Sequence, residues 1–112
     1  MFKSIAIVML ASSIASADEV GYASWYGLEN KVSSTGKTIQ HNTPAIAHKT
    51  LPIGTLVKIT HLRTQKTINA VVEDRGPYKK HRIVDLNIAA AKKLGIVNEG
   101  IALVAISKTK WH

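Results

Sequence analysis

Three short stretches hold the side chains that could do acid–base chemistry: His48 within residues 47–55, Asp74 within 73–78, and Asp85 within 82–86. Residues 67–73 are rich in β-branched types and roughly alternate, which predicts a strand. Its two-residue period places Ile68, Ala70 and Val72 on one face, puts Asp74 next on that apolar side, and turns Glu73 outward. A carboxyl group at the end of an apolar face loses water, and desolvation raises its pKa. That is what a general acid working near neutral pH requires, and Glu73 suits it less well. The same residues fit a bland role. An aspartate before Gly76-Pro77 satisfies turn amides, and Arg75 can simply pair with a neighbour. His48 could relay protons, since its unperturbed pKa lies near neutrality, or it could be a surface or hydrogen-bonded core histidine. Asp85 precedes a candidate helix cap, so binding orphan amides there is its structural alternative.

Metal chemistry has little support. There is no cysteine, and His41, His48, His61, His81 and His112 lack a close-paired ligand spacing on a recognisable element. No metal and no cofactor are expected.

The elements that must position these groups are mostly strands. Residues 20–27 read as a short strand flanked by glycines, and 28–43 as an irregular polar loop. Residues 45–48 form a short strand or helical turn. Leu51-Pro52-Ile53-Gly54 suits a type I turn, with Pro second and Gly fourth. Residues 55–61 and 67–73 are expected to pair as a hairpin across the polar residues 63–66. Residues 82–86 are a further short strand. Asn87 can cap a helix from Ile88 to about Leu94, with Lys92 and Lys93 near its negative end and Gly95 as the stop. Residues 101–106 are apolar on both faces, which predicts a central, doubly covered strand.

Composition bounds the rest. The chain has 112 residues, fifteen Lys+Arg against seven Asp+Glu, and a net charge of +8. One domain is expected. With 46% hydrophobic and 20% charged residues, it is too apolar for a disordered basic tail. The first residues predict an export signal: basic Lys3, an apolar stretch from Ile5 to Ala11, and small residues ending at Ala17, with cleavage before Asp18. An apolar run interrupted by Ser12, Ser13 and Ser16 is too short to span a membrane. Residues 1–17 are thus read as a signal peptide and 18–112 as the mature domain. Removing seventeen residues and the charge of Lys3 leaves 95 residues at +7. An exported basic domain is expected to meet envelope polymers rather than nucleic acid, without a lipid anchor, since no cysteine can carry one.

Residues 21–27 (Gly-Tyr-Ala-Ser-Trp-Tyr-Gly), the stretch from His48 to Thr55, Asp74-Arg75-Gly76-Pro77, and 82–86 followed by Ala89-Ala90-Ala91 and Leu94-Gly95 resemble the rare lipoprotein A family of lytic transglycosylases. The likeness covers about Val20 to Ile106. It implies a mainly β fold, a small six-stranded double-psi β-barrel with one or two short helices. It also implies non-hydrolytic cleavage of the β-1,4 bond between N-acetylmuramic acid and N-acetylglucosamine in peptide-poor peptidoglycan strands, leaving 1,6-anhydro ends. Asp74 then matches the proposed acid/base, and His48 a second residue implicated in activity. Trp25, Tyr26, Arg75, Tyr78 and Asp85 are assigned to substrate binding or shaping the site; Trp25 and Tyr26 fit equally well as core aromatics. The expected protein is a periplasmic or secreted monomer.

The chain also departs from that family. Where relatives carry Ser-Gly-Glu and a nearby acid, it has Ser34-Thr35-Gly36-Lys37, with Gln40 and His41 beyond. An alternative reading is therefore a non-catalytic, expansin-like module binding anionic wall glycan through Lys37, Lys49, Lys79 and Lys80.

Overall fold

The structure, a computed structural model, describes residues 17–26 and 42–109. Residues 1–16 of the expected leader, most of the 28–43 loop with Lys37, Gln40 and His41, and His112 lie outside the described residues.

Six strands close a barrel: β1 (Glu19–Trp25), β2 (Ala45–His48), β3 (Leu56–His61), β4 (Thr67–Asp74), β5 (Arg82–Leu86) and β6 (Ile101–Lys108). The single helix among the described residues, α1 (Ile88–Leu94), lies between β5 and β6. Around the barrel the order is β1-β5-β2-β4-β3-β6. β1 pairs with β5, and β2 with β4, in parallel; the other four pairings are antiparallel. The expected hairpin is β3–β4, in register from Leu56 opposite Val71 to Thr60 opposite Thr67. Residues 45–48 are a strand, settling the open choice there.

β4 shows how sequence sets the interior. Ile68, Ala70 and Val72 are buried on the core side, while the residues between them are exposed or half-buried. Asp74 is buried too, but the expected period does not carry it there: a register shift skips Glu73 and sets Asp74 opposite Ala47, which also pairs with Asp85, off the apolar face. Val57, Ile59, Val84, Leu86, Val104 and Ile106 join Ile68, Ala70 and Val72 in one apolar core. α1 packs against β2, β4 and β5, and Ala90, Ala91 and Leu94 on it are wholly buried. Seven residues are too few for a helix to persist alone. Burying Leu94 supplies about 1.5–3 kcal/mol, so packing rather than propensity holds α1.

The caps follow expectation. The Asn87 side chain accepts from Ala90 N at 2.9 Å, and Gly95 closes the C-terminus with bonds to the Ala91 and Lys92 carbonyls. Asn87 also accepts from Ala45 N at 3.1 Å and donates to Thr43 O at 2.7 Å, so one buried amide ties α1 to the start of β2.

Two further expectations are corrected. β6 is not covered on both faces throughout, because a closed barrel has an outside: Ile101 and Leu103 are 52% and 41% exposed. The turn before β3 sits one residue later than expected. Thr55 N donates to Pro52 O at 3.1 Å, and Gly54 takes φ 93° as the third residue. That is type II geometry, whose third position favours glycine.

Candidate active site

β4 delivers Asp74 to the barrel mouth with the side chain 7% exposed. Its Oδ1 accepts from the Arg75 amide at 2.8 Å. The chain then passes through a cis Gly76–Pro77 bond and leaves Tyr78 80% exposed. Glu73 is half-buried.

Arg75 faces the other way. Its Nη1 donates to the carbonyl oxygens of His48 at 2.9 Å and Leu51 at 2.7 Å. The guanidinium thereby ties the loop after β4 to the turn after β2, next to the pairing of Ala47 with Asp74.

The His48 ring is buried, and both of its nitrogens are engaged. The amides of Thr50 and Leu51 each donate to Nδ1 at 3.1 Å, so the ring proton sits on Nε2, which donates to Glu19 Oε1 at 2.8 Å. Glu19 and His48 line a cavity of about 400 Å³ with Asp18, Thr50, Leu51, Ile106 and Lys108. His48 therefore meets the Asp74 segment through its own backbone and Arg75. His61, at the end of β3, repeats the arrangement: Arg63 N donates to Nδ1 at 3.2 Å, and Nε2 meets Glu99 Oε1 at 2.9 Å. The hydrogen bond from His61, then Arg63, holds the Glu99 carboxyl below its ordinary range.

Tyr26 is the aromatic closest in character to the acidic site. Burial pushes its phenol well above the usual range, and the negative charges of Asp74, Glu73 and Asp85 push it further. It therefore remains protonated beside three acidic side chains. Its amide continues the ladder from β1 by donating to Leu86 O at 2.9 Å. Trp25 points elsewhere: its Nε1 donates to Val97 O at 3.2 Å, and the ring packs on the core.

Asp85 does not cap α1, which Asn87 does instead. Ser24 Oγ donates to Asp85 Oδ1 at 2.5 Å, and Arg82 Nη2 reaches the same oxygen at 3.1 Å. The barrel thus gathers Asp74, Glu73, Tyr26 and Asp85 into one acidic region, braced by Arg75, Ser24 and Arg82. Tyr78 follows Asp74 as an exposed ring, Trp25 turns to Val97 and the core, and the His48 ring turns to Glu19. Ser24, Arg82 and Glu19 were not singled out from sequence. Only the placing of Ser24 between Tyr22 and Tyr26, at alternate positions, hinted at a shared face. Among the described residues, no cluster of three or more His, Cys, Asp or Glu could hold a metal ion.

The strand order, with two parallel pairs inside a closed six-stranded barrel, defines a double-psi β-barrel, and Asp74 lies at the end of one of its strands. Residues 18–106 match the family described as Lytic transglycolase, and the chain belongs to that family. It is 42% identical over 99 residues to an endolytic peptidoglycan transglycosylase RlpA of Rickettsia felis, covering 84% of this chain and 43% of that one. It is 40% identical over 99 residues to the protein of the same name from Neisseria meningitidis, covering 87% of this chain and 41% of that one. The chain thus spans less than half the length of these relatives. Among solved structures it is similar to the apo expansin of Clavibacter michiganensis, with TM-score 0.65 and 19% identity over 81% of this chain and 50% of that one. That likeness concerns the fold alone.

Proposed function

We propose that this protein is an exported endolytic lytic transglycosylase that cleaves the N-acetylmuramic acid–N-acetylglucosamine bond of peptidoglycan, with Asp74 as its acid/base. The observation that carries the reading is the placement of Asp74: a nearly buried carboxyl at the mouth of a barrel whose sequence matches Lytic transglycolase from residue 18 to 106. The names of the Rickettsia and Neisseria relatives support the substrate.

In this reaction Asp74 gives its proton to the glycosidic oxygen as the C1–O4 bond breaks. The muramoyl O6 then closes on C1, and its proton returns to Asp74. No water is consumed, so one carboxyl serves where a hydrolase needs two. Tyr26, kept protonated beside Asp74, donates a hydrogen bond to the sugar. Arg75 and His48 position the loop that carries Asp74. Export through the signal segment, with cleavage before Asp18, brings the protein to its polymer as a monomer.

The test is digestion of peptide-free glycan strands in 18O-labelled water, read by mass spectrometry. Anhydro ends without label are expected. Labelled reducing ends, one water heavier, would make the protein a hydrolase; binding without new ends would make it a glycan-binding module.

A further inference from the structure

The outer face of β1 continues away from Asp74. Tyr22, Ser24 and Tyr26 share that face by the two-residue period, and Tyr22 lies about 13 Å from Tyr26 at the usual strand rise. Ser24 and Arg82, both bound to Asp85, link the two ends. At the far end Tyr22 is 45% exposed and lines a cavity of about 380 Å³ with Lys79, Lys80, Arg82 and Ile101.

Three backbone features build this end. A register shift between Tyr22 and Ala23 sets Tyr22 directly opposite Arg82, and such irregularities re-aim side chains next to functional sites. Gly21 lets β5 come close, because a Cβ there would lie 2.6 Å from Ile83 Cγ2. His81 adopts φ 69°, unusual for a residue with a side chain, while its carbonyl accepts from Tyr22 N at 3.0 Å. That turn fixes Lys79 and Lys80 beside the Tyr22 ring. Asp85 neutralises Arg82, whereas Lys79 and Lys80 have no ion pair among the described residues.

An exposed aromatic face suits the apolar side of a sugar ring, and unpaired ammonium groups beside it suit a carboxylate. We infer that Tyr22, Lys79 and Lys80 form a second subsite, in which Tyr22 stacks on a sugar of the bound strand and the lysines take the lactyl carboxylate of a muramoyl residue remote from the cleaved bond. The inference rests on the proposed peptidoglycan substrate.

The experiment measures binding of the full chain to peptide-free glycan strands, to strands bearing stem peptides, and to neutral N-acetylglucosamine oligomers of matched length. K79A/K80A should weaken binding to peptide-free strands about fivefold and leave the neutral oligomers unchanged. K92A/K93A, which removes the same charge from α1, should change neither, and Y22A should weaken both. Equal effects of the two double variants, or a K79A/K80A loss confined to peptide-bearing strands, would overturn the subsite. Anhydro-end formation by the unaltered protein is scored separately. A protein that cleaves but ignores K79A/K80A loses only the subsite, while one that shows the K79A/K80A binding loss without cleaving keeps it and loses the transglycosylase reading.

Discussion

Arg75 and His48 meet through a guanidinium and a main-chain carbonyl, Nη1 to O at 2.9 Å, not ring to carboxylate. The arrangement makes Arg75 a clamp between two loops. His48 in turn, through Nδ1, shapes the Thr50–Leu51 turn whose Leu51 carbonyl the same Nη1 reaches.

Arg75→Ala is therefore expected to act by misplacing Asp74. It leaves the His48 and Leu51 carbonyls without this donor, at a cost of about 1–3 kcal/mol in stability. Turnover on glycan strands should fall about 10- to 100-fold, with strand binding little changed. Unaltered turnover in a folded variant would remove the clamp from the account.

Tyr26 gives a pH test. Its raised folded-state pKa means that its contribution to stability is complete below the ordinary phenol value of 10.0 and is lost as pH rises beyond it. In the folded protein the phenolate absorbance gained by about pH 11 should be the same in the parent and in Tyr26→Phe. If the variant lacked a third of that signal, one of the three tyrosines, Tyr26 would be titrating normally.

Much of the frame that makes these tests possible is legible in the residues themselves. β-branched alternation over 67–73 marks β4 but misplaces Asp74, which a register shift past Glu73 sets opposite Ala47 rather than on the core side, whereas Asn87 and Gly95 mark both ends of α1. Chemical type and short spacing suffice for such features. The partners of the site residues are another matter. Glu19 is 29 residues from His48, Ser24 is 61 from Asp85, and Val97 is 72 from Trp25. Each pairing exists because β1 lies between β5 and β6 in the closed barrel, an order no local pattern encodes. Closure also explains β6: a run apolar on both faces looks central, yet half of its early residues face outward.

Glu99 makes a prediction in acid. Its carboxyl is held below the ordinary 4.5 by His61 and Arg63, so its contribution is complete above that value and disappears as pH falls below it. Urea midpoints of the parent and of Glu99→Gln should differ at neutral pH, and the gap should narrow steadily as pH falls below 4.5. A gap that persists or widens in acid would contradict the pairing.

Asn87→Ala removes the α1 cap and the donor and acceptor that fasten Thr43 and Ala45. The loss should be about 2–4 kcal/mol by urea unfolding. A loss below 1 kcal/mol would mean that water replaces the amide at no cost, which its complete burial argues against.

The central claim is that Asp74 moves the proton. The most direct measurement compares the parent protein with Asp74→Asn, a near-isosteric change, on peptide-free glycan strands, counting 1,6-anhydromuramic ends by mass spectrometry. Loss of about 100-fold or more, with strand binding and urea midpoint retained, is the predicted result. Anhydro ends formed at the parental rate by the folded variant would contradict it and return Asp74 to the role of a turn residue.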